Sequence, residues 1–155
     1  MTGRVDERLR ELGIALPDPV PPVATYVPFV VTGNLVFISG QVTVGPEGLQ
    51  YRGQVGTDFS IEEGQAAARL CAINVLAQLK DACDGDLDRV TRCVKLGGFV
   101  NSPPGFGDHP KVINGASDLM VEVFGDAGRH ARFAVGASSL PLNVAVEVDA
   151  VFEIA

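Results

Sequence analysis

The chain has no tryptophan, and its 155 residues include only three cysteines, two histidines and two methionines. Each scarcity excludes something. Cys71, Cys83 and Cys93 are odd in number and lie at no metal-ligand spacing, so neither a disulfide framework nor a zinc module is indicated. Buried, reduced thiols are the plain reading. His109 and His130 lie far apart with no third ligand, which gives no metal site. Positive charge is also short: 12 Lys and Arg are scattered among 19 Asp and Glu, for a net charge of −7. A protein that neutralises nucleic-acid phosphates needs a basic stripe, so nucleic acid is disfavoured as a partner. No window reaches the apolar length that crosses a bilayer. The run from Thr2 to Arg8 has no apolar core of a secretory leader. These absences together lead to the expectation of a cytoplasmic protein.

What is present is ordinary for one soluble domain: 46% apolar and 20% charged residues, enough chain to bury a core without disulfides. Val5, Leu9 and Leu12 recur at helical spacing before Gly13. Pro17, Pro19, Pro21 and Pro22 then force an extended connector. Residues 1–22 are thus expected to form a helix and proline-rich arm, packed on the body or on a neighbouring subunit, and residues 23–155 the body. Tyr26–Val31 and Leu35–Ser39 flank a Gly-Asn turn and read as a hairpin. Gly40 interrupts the second run, which suggests a bulge or a close backbone approach. A weak further strand is expected over 49–55. Ser60 and Glu63 form a capping box that opens a long helix to Cys83. A nearly apolar strand ends at Val100. Asp108 is placed to cap a second helix with Pro110 in its first turn, and Gly125 stops it.

The C-terminal part carries the strongest pattern. At period two, Val144, Val146, Val148, Ala150, Phe152 and Ile154 form one apolar face, with Glu147, Asp149 and Glu153 opposite. Phe133, Val135 and Ala137 alternate with Arg132, Ala134 and Gly136. If these two segments make a hairpin with Ala137 opposite Leu142, Arg132 lies directly across from Glu147 on the face turned away from the core. The expected order is β-β-α-β-α-β-β, an α+β layout with both helices on one face of a mixed sheet. The uncovered face calls for a second copy of the chain, with sites at the subunit boundary. A cross-strand ion pair is the plain reading of Arg132 and Glu147. The sharper reading has Arg132 fork onto a substrate carboxylate while Glu147 orients a water or moves a proton. Ser117 and Asp118 read as a helix-surface pair.

Several short runs together resemble one family. Ile38-Ser39-Gly40-Gln41, Val112 through Ser117, Ala131-Arg132, and Leu140-Pro141 through Val146-Glu147-Val148 are similar, in order, to the RidA (YjgF-type) reactive-intermediate deaminases. The likeness runs from about Pro22 to the C-terminus. It is closest to a longer bacterial branch with an N-terminal extension and His-Ala-Arg in place of Pro-Ala-Arg. The resemblance implies a chorismate-mutase-like fold and a homotrimer with clefts between subunits. It implies hydrolysis of small 2-imino acids to 2-keto acids and ammonia, with no metal or organic cofactor. It makes Arg132 the carboxylate anchor and Glu147 the acid that places the attacking water. Tyr26, Gly40, Asn114 and Ala134 would line the cleft. Relative to the family, Phe133 stands where a small or hydroxyl residue is usual and Ala134 where cysteine is common. The interval from Asn114 to Arg132 is one residue longer. Two other activities remain open on the sequence: binding of small carboxylic or 2-keto acids without turnover, and an endoribonuclease.

Overall fold

The C-terminal alternation folds as read. In the strand Val146–Ile154, Val146, Val148, Ala150, Phe152 and Ile154 are buried, while Glu147, Asp149, Val151 and Glu153 point to the other face. The computed structural model describes residues 3–22 and 24–155, so the expected start of the body at residue 23 and the leader reading at Thr2 fall outside it. In chain order the elements are α1 (Arg4–Glu11), β1 (Phe29–Thr32), β2 (Leu35–Gln41), β3 (Val44–Gly45), β4 (Gly48–Leu49), α2 (Ile61–Ala82), β5 (Val90–Asn101), α3 (His109–Phe124), β6 (Ala131–Ala137) and β7 (Val146–Ile154). The main sheet runs β1-β2-β7-β5-β6, and β3-β4 is a separate two-stranded ribbon. Only the β5–β6 pair is parallel, so the sheet is mixed and the class is α+β.

One expectation fails, and it matters for the site. β6 and β7 are not a hairpin: β5 lies between them, parallel to β6 and antiparallel to β7. Arg132 therefore stands in register with Leu96 and, beyond it, Ala150; Glu147 stands in register with Phe99. Strands about 4.8 Å apart and a rise of about 3.3 Å per residue put the two Cα atoms roughly 14 Å apart. Their side chains also leave opposite faces. Leu96 and Ala150 are buried under the helices, so Arg132 projects on the helix side and Glu147 on the open side. A period-two pattern fixes which residues share a face within one strand. It does not say which strand lies alongside.

The helices pack on the face that β7 makes apolar. α1 is a third helix in that layer, since Val5 and Leu9 join the common core. Its first turn is held by the Asp88 carboxylate, which accepts from the Arg4 and Val5 amides at 2.9 Å each, and Lys80 pairs with Asp6 at 3.2 Å. The arm thus lies on its own body. α2 begins with the capping box complete: the Glu63 amide donates to the Ser60 hydroxyl and the Glu63 carboxylate accepts from the Ser60 amide. Its buried side includes Ala67, Cys71, Val75 and Leu79, together with Asn74 and Gln78. Ala66, on the opposite side, is exposed. At α3, Pro110 occupies the first turn, but the Asp108 side chain makes no capping bond. The weak strand expected over 49–55 reduces to β4 and isolated bridges at Arg52 and Val55.

α2 and α3 touch closely enough that Gly115 has no room for a side chain: a Cβ there would fall on the Gln65 carbonyl oxygen. Backbone cannot yield as a flexible side chain can. Gly115→Ala should therefore cost about 1–3 kcal/mol, the range of overpacking, and Ser60→Ala about 1 kcal/mol, the worth of an N-cap. Urea denaturation of the two variants measures both, and a neutral Gly115→Ala would contradict the close helix approach.

Candidate functional site

The six residues singled out in the sequence fall into two groups, one on each side of β5. Tyr26, Gly40 and Glu147 line a cavity of about 370 Å³ between the proline-rich arm, β2 and the turn before β7. The pairing of β2 with β7 shifts register between Ile38 and Gln41, so Gly40 sits in a bulge. Both readings of this glycine apply there, because a Cβ on Gly40 would fall on the Glu147 carboxylate. Glycine at 40 is what lets an acid at 147 turn toward the cavity. Ser39 and Gln41 flank it and each donates to backbone: the Ser39 hydroxyl to the Val27 carbonyl at 2.7 Å and the Gln41 amide to the Ser39 carbonyl at 3.0 Å.

The second group is built by β6 and α3. Arg132 Nη1 donates to Asn114 Oδ1 at 2.9 Å and to Ser117 Oγ at 3.0 Å, and Nη2 donates to the Pro110 carbonyl at 3.0 Å. Ala134, two residues along β6 on the same side, stands in register with Gly98 and packs against the core. Ser117 is no surface pair with Asp118, as its spacing suggested. It is shared between Arg132 and His130, whose Nε2 lies 2.8 Å from the Ser117 hydroxyl. The other ring nitrogen, Nδ1, lies 2.6 Å from the Gly128 carbonyl. A carbonyl only accepts, so in the neutral ring the proton is on Nδ1. Nε2 then takes the Ser117 proton, and the serine oxygen is left to accept from Arg132. His130 thereby sets Arg132 at one remove, a link that the His-Ala-Arg run alone could not disclose.

A guanidinium has five N–H donors, and three of Arg132's are engaged in these bonds. Among the described residues, the Nε–H and one Nη2–H remain. Donors on two adjoining nitrogens are what a bidentate carboxylate requires. The side chain is thus fixed within its own chain and left able to grip an acid.

The acids lie on the open face. Burial is the main cause that raises the Glu147 carboxyl above the ordinary range, and the charge of Asp149 adds to it. Asp149 is also raised by burial, but the Gly97 amide and the Lys95 ammonium hold it down. The charge of Asp149 is the second cause acting on Glu147. It is exposed along one side, so water limits that influence. Phe133 sits on the same open face, edge-on to Phe99 at 5.2 Å and beneath Lys95 Nζ at 5.5 Å. It is turned away from Arg132 and does not crowd it. The three cysteines are buried, and burial pushes Cys93 up to about 12. They are poor nucleophiles in that state. Among the described residues no three His, Cys, Asp or Glu side chains converge, and no helix is long and apolar enough to cross a membrane.

Residues 6–154 match the family described as "YjgF/chorismate mutase-like, putative endoribonuclease". The chain is 49% identical over 154 residues to Protein TCP17 of Trypanosoma cruzi, covering 99% of this chain and 96% of that protein. The crystal structure of protein Atu1372 from Agrobacterium tumefaciens, of unknown function, is similar with a TM-score of 0.91 at 48% identity, covering 97% of this chain and 92% of that one. A "putative endoribonuclease" from Shewanella oneidensis gives a TM-score of 0.94 at 38% identity, covering 98% and 100%. The chain belongs to the YjgF (RidA) family, and its mixed α+β architecture is the chorismate-mutase-like fold of that family.

The raised Glu147 has a signed consequence. In the folded chain this carboxyl keeps its proton to higher pH than in the unfolded chain. Its contribution to stability is therefore fully present below the ordinary carboxylate range and is lost as pH rises through the raised value. Glu147→Gln should reduce the fall in stability across that window and be relatively more stable at neutral pH. Denaturation midpoints taken from about pH 4 to about pH 8 check this, and superimposable wild-type and variant profiles would contradict it.

Proposed function

We propose that the protein is a hydrolytic deaminase of 2-imino acids, working at clefts where Arg132 of one copy meets Glu147 of the next in a homotrimer. The observation that carries the proposal is Arg132 itself: a guanidinium fixed by three bonds within its subunit, with donors on two nitrogens still free. Family membership supports the same reading. The substrate carboxylate docks on those donors. Water, oriented by Glu147, adds to the imine carbon and gives up a proton to the carboxylate as the C–O bond forms. That proton passes to nitrogen to give the carbinolamine; the hydroxyl proton then follows to nitrogen through the same carboxylate, and the C–N bond breaks to release ammonia as the carbonyl closes. One imino acid and one water become one 2-keto acid and one ammonia. An imine carbon is already electrophilic, so positioning does most of the work, and a carboxylate lifted toward neutral pH suits the proton transfer.

The separation of the two groups supports assembly between copies. Within one chain the groups are on opposite faces and about three strand spacings' worth of distance apart (~14 Å), too far for one small substrate to span. The open face exposes Val30, Phe37 and Val135 beside the acids, a surface that association would bury. The endoribonuclease description belongs to relatives. The net charge of −7 argues against phosphate-backbone binding here.

The test supplies the purified protein with an imine-generating amino-acid oxidase and follows keto-acid release. Two charged hydrogen bonds are worth about 1.5–3 kcal/mol each, so Arg132→Ala should lose at least ~100-fold in kcat/KM. Mixing and reassembling inactive Arg132→Ala and Glu147→Gln chains should restore about a quarter of the activity, because a hybrid ring contains clefts with both residues intact. Absence of rescue would overturn the cleft shared between copies. Keto-acid binding with no turnover would replace the deaminase by a carboxylic-acid binder.

A further inference from the structure

We infer that the cavity beside Glu147 receives the substrate's side chain, and that it selects 2-imino acids with a branched aliphatic or aromatic side chain over the alanine-derived one. The inference rests on the deaminase reading and narrows it to a substrate class.

The cavity is larger than a small imine requires. Its volume of about 370 Å³ falls within the range of ligand clefts, about 300–1,000 Å³, whereas an alanine-derived imine brings only a methyl group. Its walls are apolar: Val20 and Pro21 from the arm, Tyr26, Val42 from the strand end after the bulge, and Pro141 and Leu142 from the turn before β7. Ser39 and Gln41 each donate one bond to a backbone carbonyl, and Glu147 is the charged side chain in the lining. An acid at one point of an otherwise apolar cavity fits a molecule with one reacting polar centre and a hydrocarbon remainder.

These walls are pinned from behind. Asn74 and Gln78, one turn apart on α2, are buried amides on a helix face that is otherwise apolar. Asn74 Nδ2 donates to the Val42 and Val44 carbonyls at 3.0 and 2.9 Å, and Gln78 Nε2 donates to the Val20 carbonyl at 2.8 Å. Burying amides is costly where they go unbonded, and Asn74 Oδ1 and Gln78 Oε1 have no partner among the described residues; the bonds from their nitrogens fix the backbone of both walls. The arm is held at this place by Gln78 rather than merely lying nearby.

The rim is held as deliberately. Leu142 and Asn143 both adopt left-handed backbone, with φ of 60° and 59°, which non-glycine residues seldom do and which marks stored strain. The conformation is kept by Arg52 Nε donating to the Leu142 carbonyl at 3.2 Å and by the Gly53 amide donating to the Asn143 carbonyl at 2.8 Å. Its result is a Leu142 side chain left 54% exposed at the cavity, near a Tyr26 that is 48% exposed. Leu142 is thus held at the cavity while still open to water, beside the Tyr26 ring.

The test compares imines made by an amino-acid oxidase from alanine, leucine and phenylalanine. It also compares calorimetric binding of pyruvate with that of 4-methyl-2-oxopentanoate, in the wild type and in Val20→Asp and Leu142→Asp. Both positions are at least partly exposed, and circular dichroism checks that the variants fold. A methylene in an apolar pocket is worth about 10-fold or more in discrimination, so the bulkier imines and the bulkier keto acid should be favoured by at least ~10-fold. Either substitution should bring the ratio toward one. Equal binding of the two keto acids, or a ratio untouched by both substitutions, overturns the inference even if every imine is hydrolysed. A preference for the bulkier keto acid without any turnover would instead keep the pocket assignment and remove the deaminase.

Discussion

The position of β5 is the constraint on which the rest of this molecule depends. Its 12 residues pair on one side with β7 and on the other with β6. Because β5 and β6 are parallel, the chain must cross over between them, and a parallel connection needs a dozen or more residues. α3 is that crossover. It lies against β6 and supplies Asn114, Ser117 and the Pro110 carbonyl to Arg132. The arginine is rigid for this reason, and it is distant from Glu147 for the same reason.

Glycines make the opposite face workable. Gly40 leaves room for the Glu147 carboxylate, and Gly97 leaves room for the Asp149 carboxylate and the Phe133 ring. The two acids are drawn into a face that is part apolar, and burial raises both. A face that holds partly desolvated acids beside exposed Phe37 and Val135 is costly in a lone chain. The same features are useful where a second surface closes over them, since excluding water strengthens every charge that remains.

The helix layer shows that buried polar groups can shape a cavity built for apolar contact. Asn74 and Gln78 interrupt an apolar stripe, and each reaches a wall of the cavity beside Glu147. The arm anchored by Gln78 belongs to the same core as the body, through Val5 and Leu9. Helix, arm and cavity wall are therefore held together, and the arm and Glu147 face the same cavity.

Local elements and their inward faces were legible in the order of residues. The capping box at Ser60, the bulge at Gly40 and the alternation of β7 all rest on neighbours a few residues apart, and their causes are steric and hydrogen-bonding rules that act at short range. The sequence also held the identities of the candidate site residues, through short runs that resemble a family. Strand adjacency was decided only in three dimensions. The hairpin read between β6 and β7 satisfied every local rule, because periodicity carries no information about which strand is alongside. Ser117, Asn74 and Gln78 stayed hidden for the same reason: a polar residue on a helix looks like a solvated one until the partner carbonyl or guanidinium, brought from far along the chain, is placed against it.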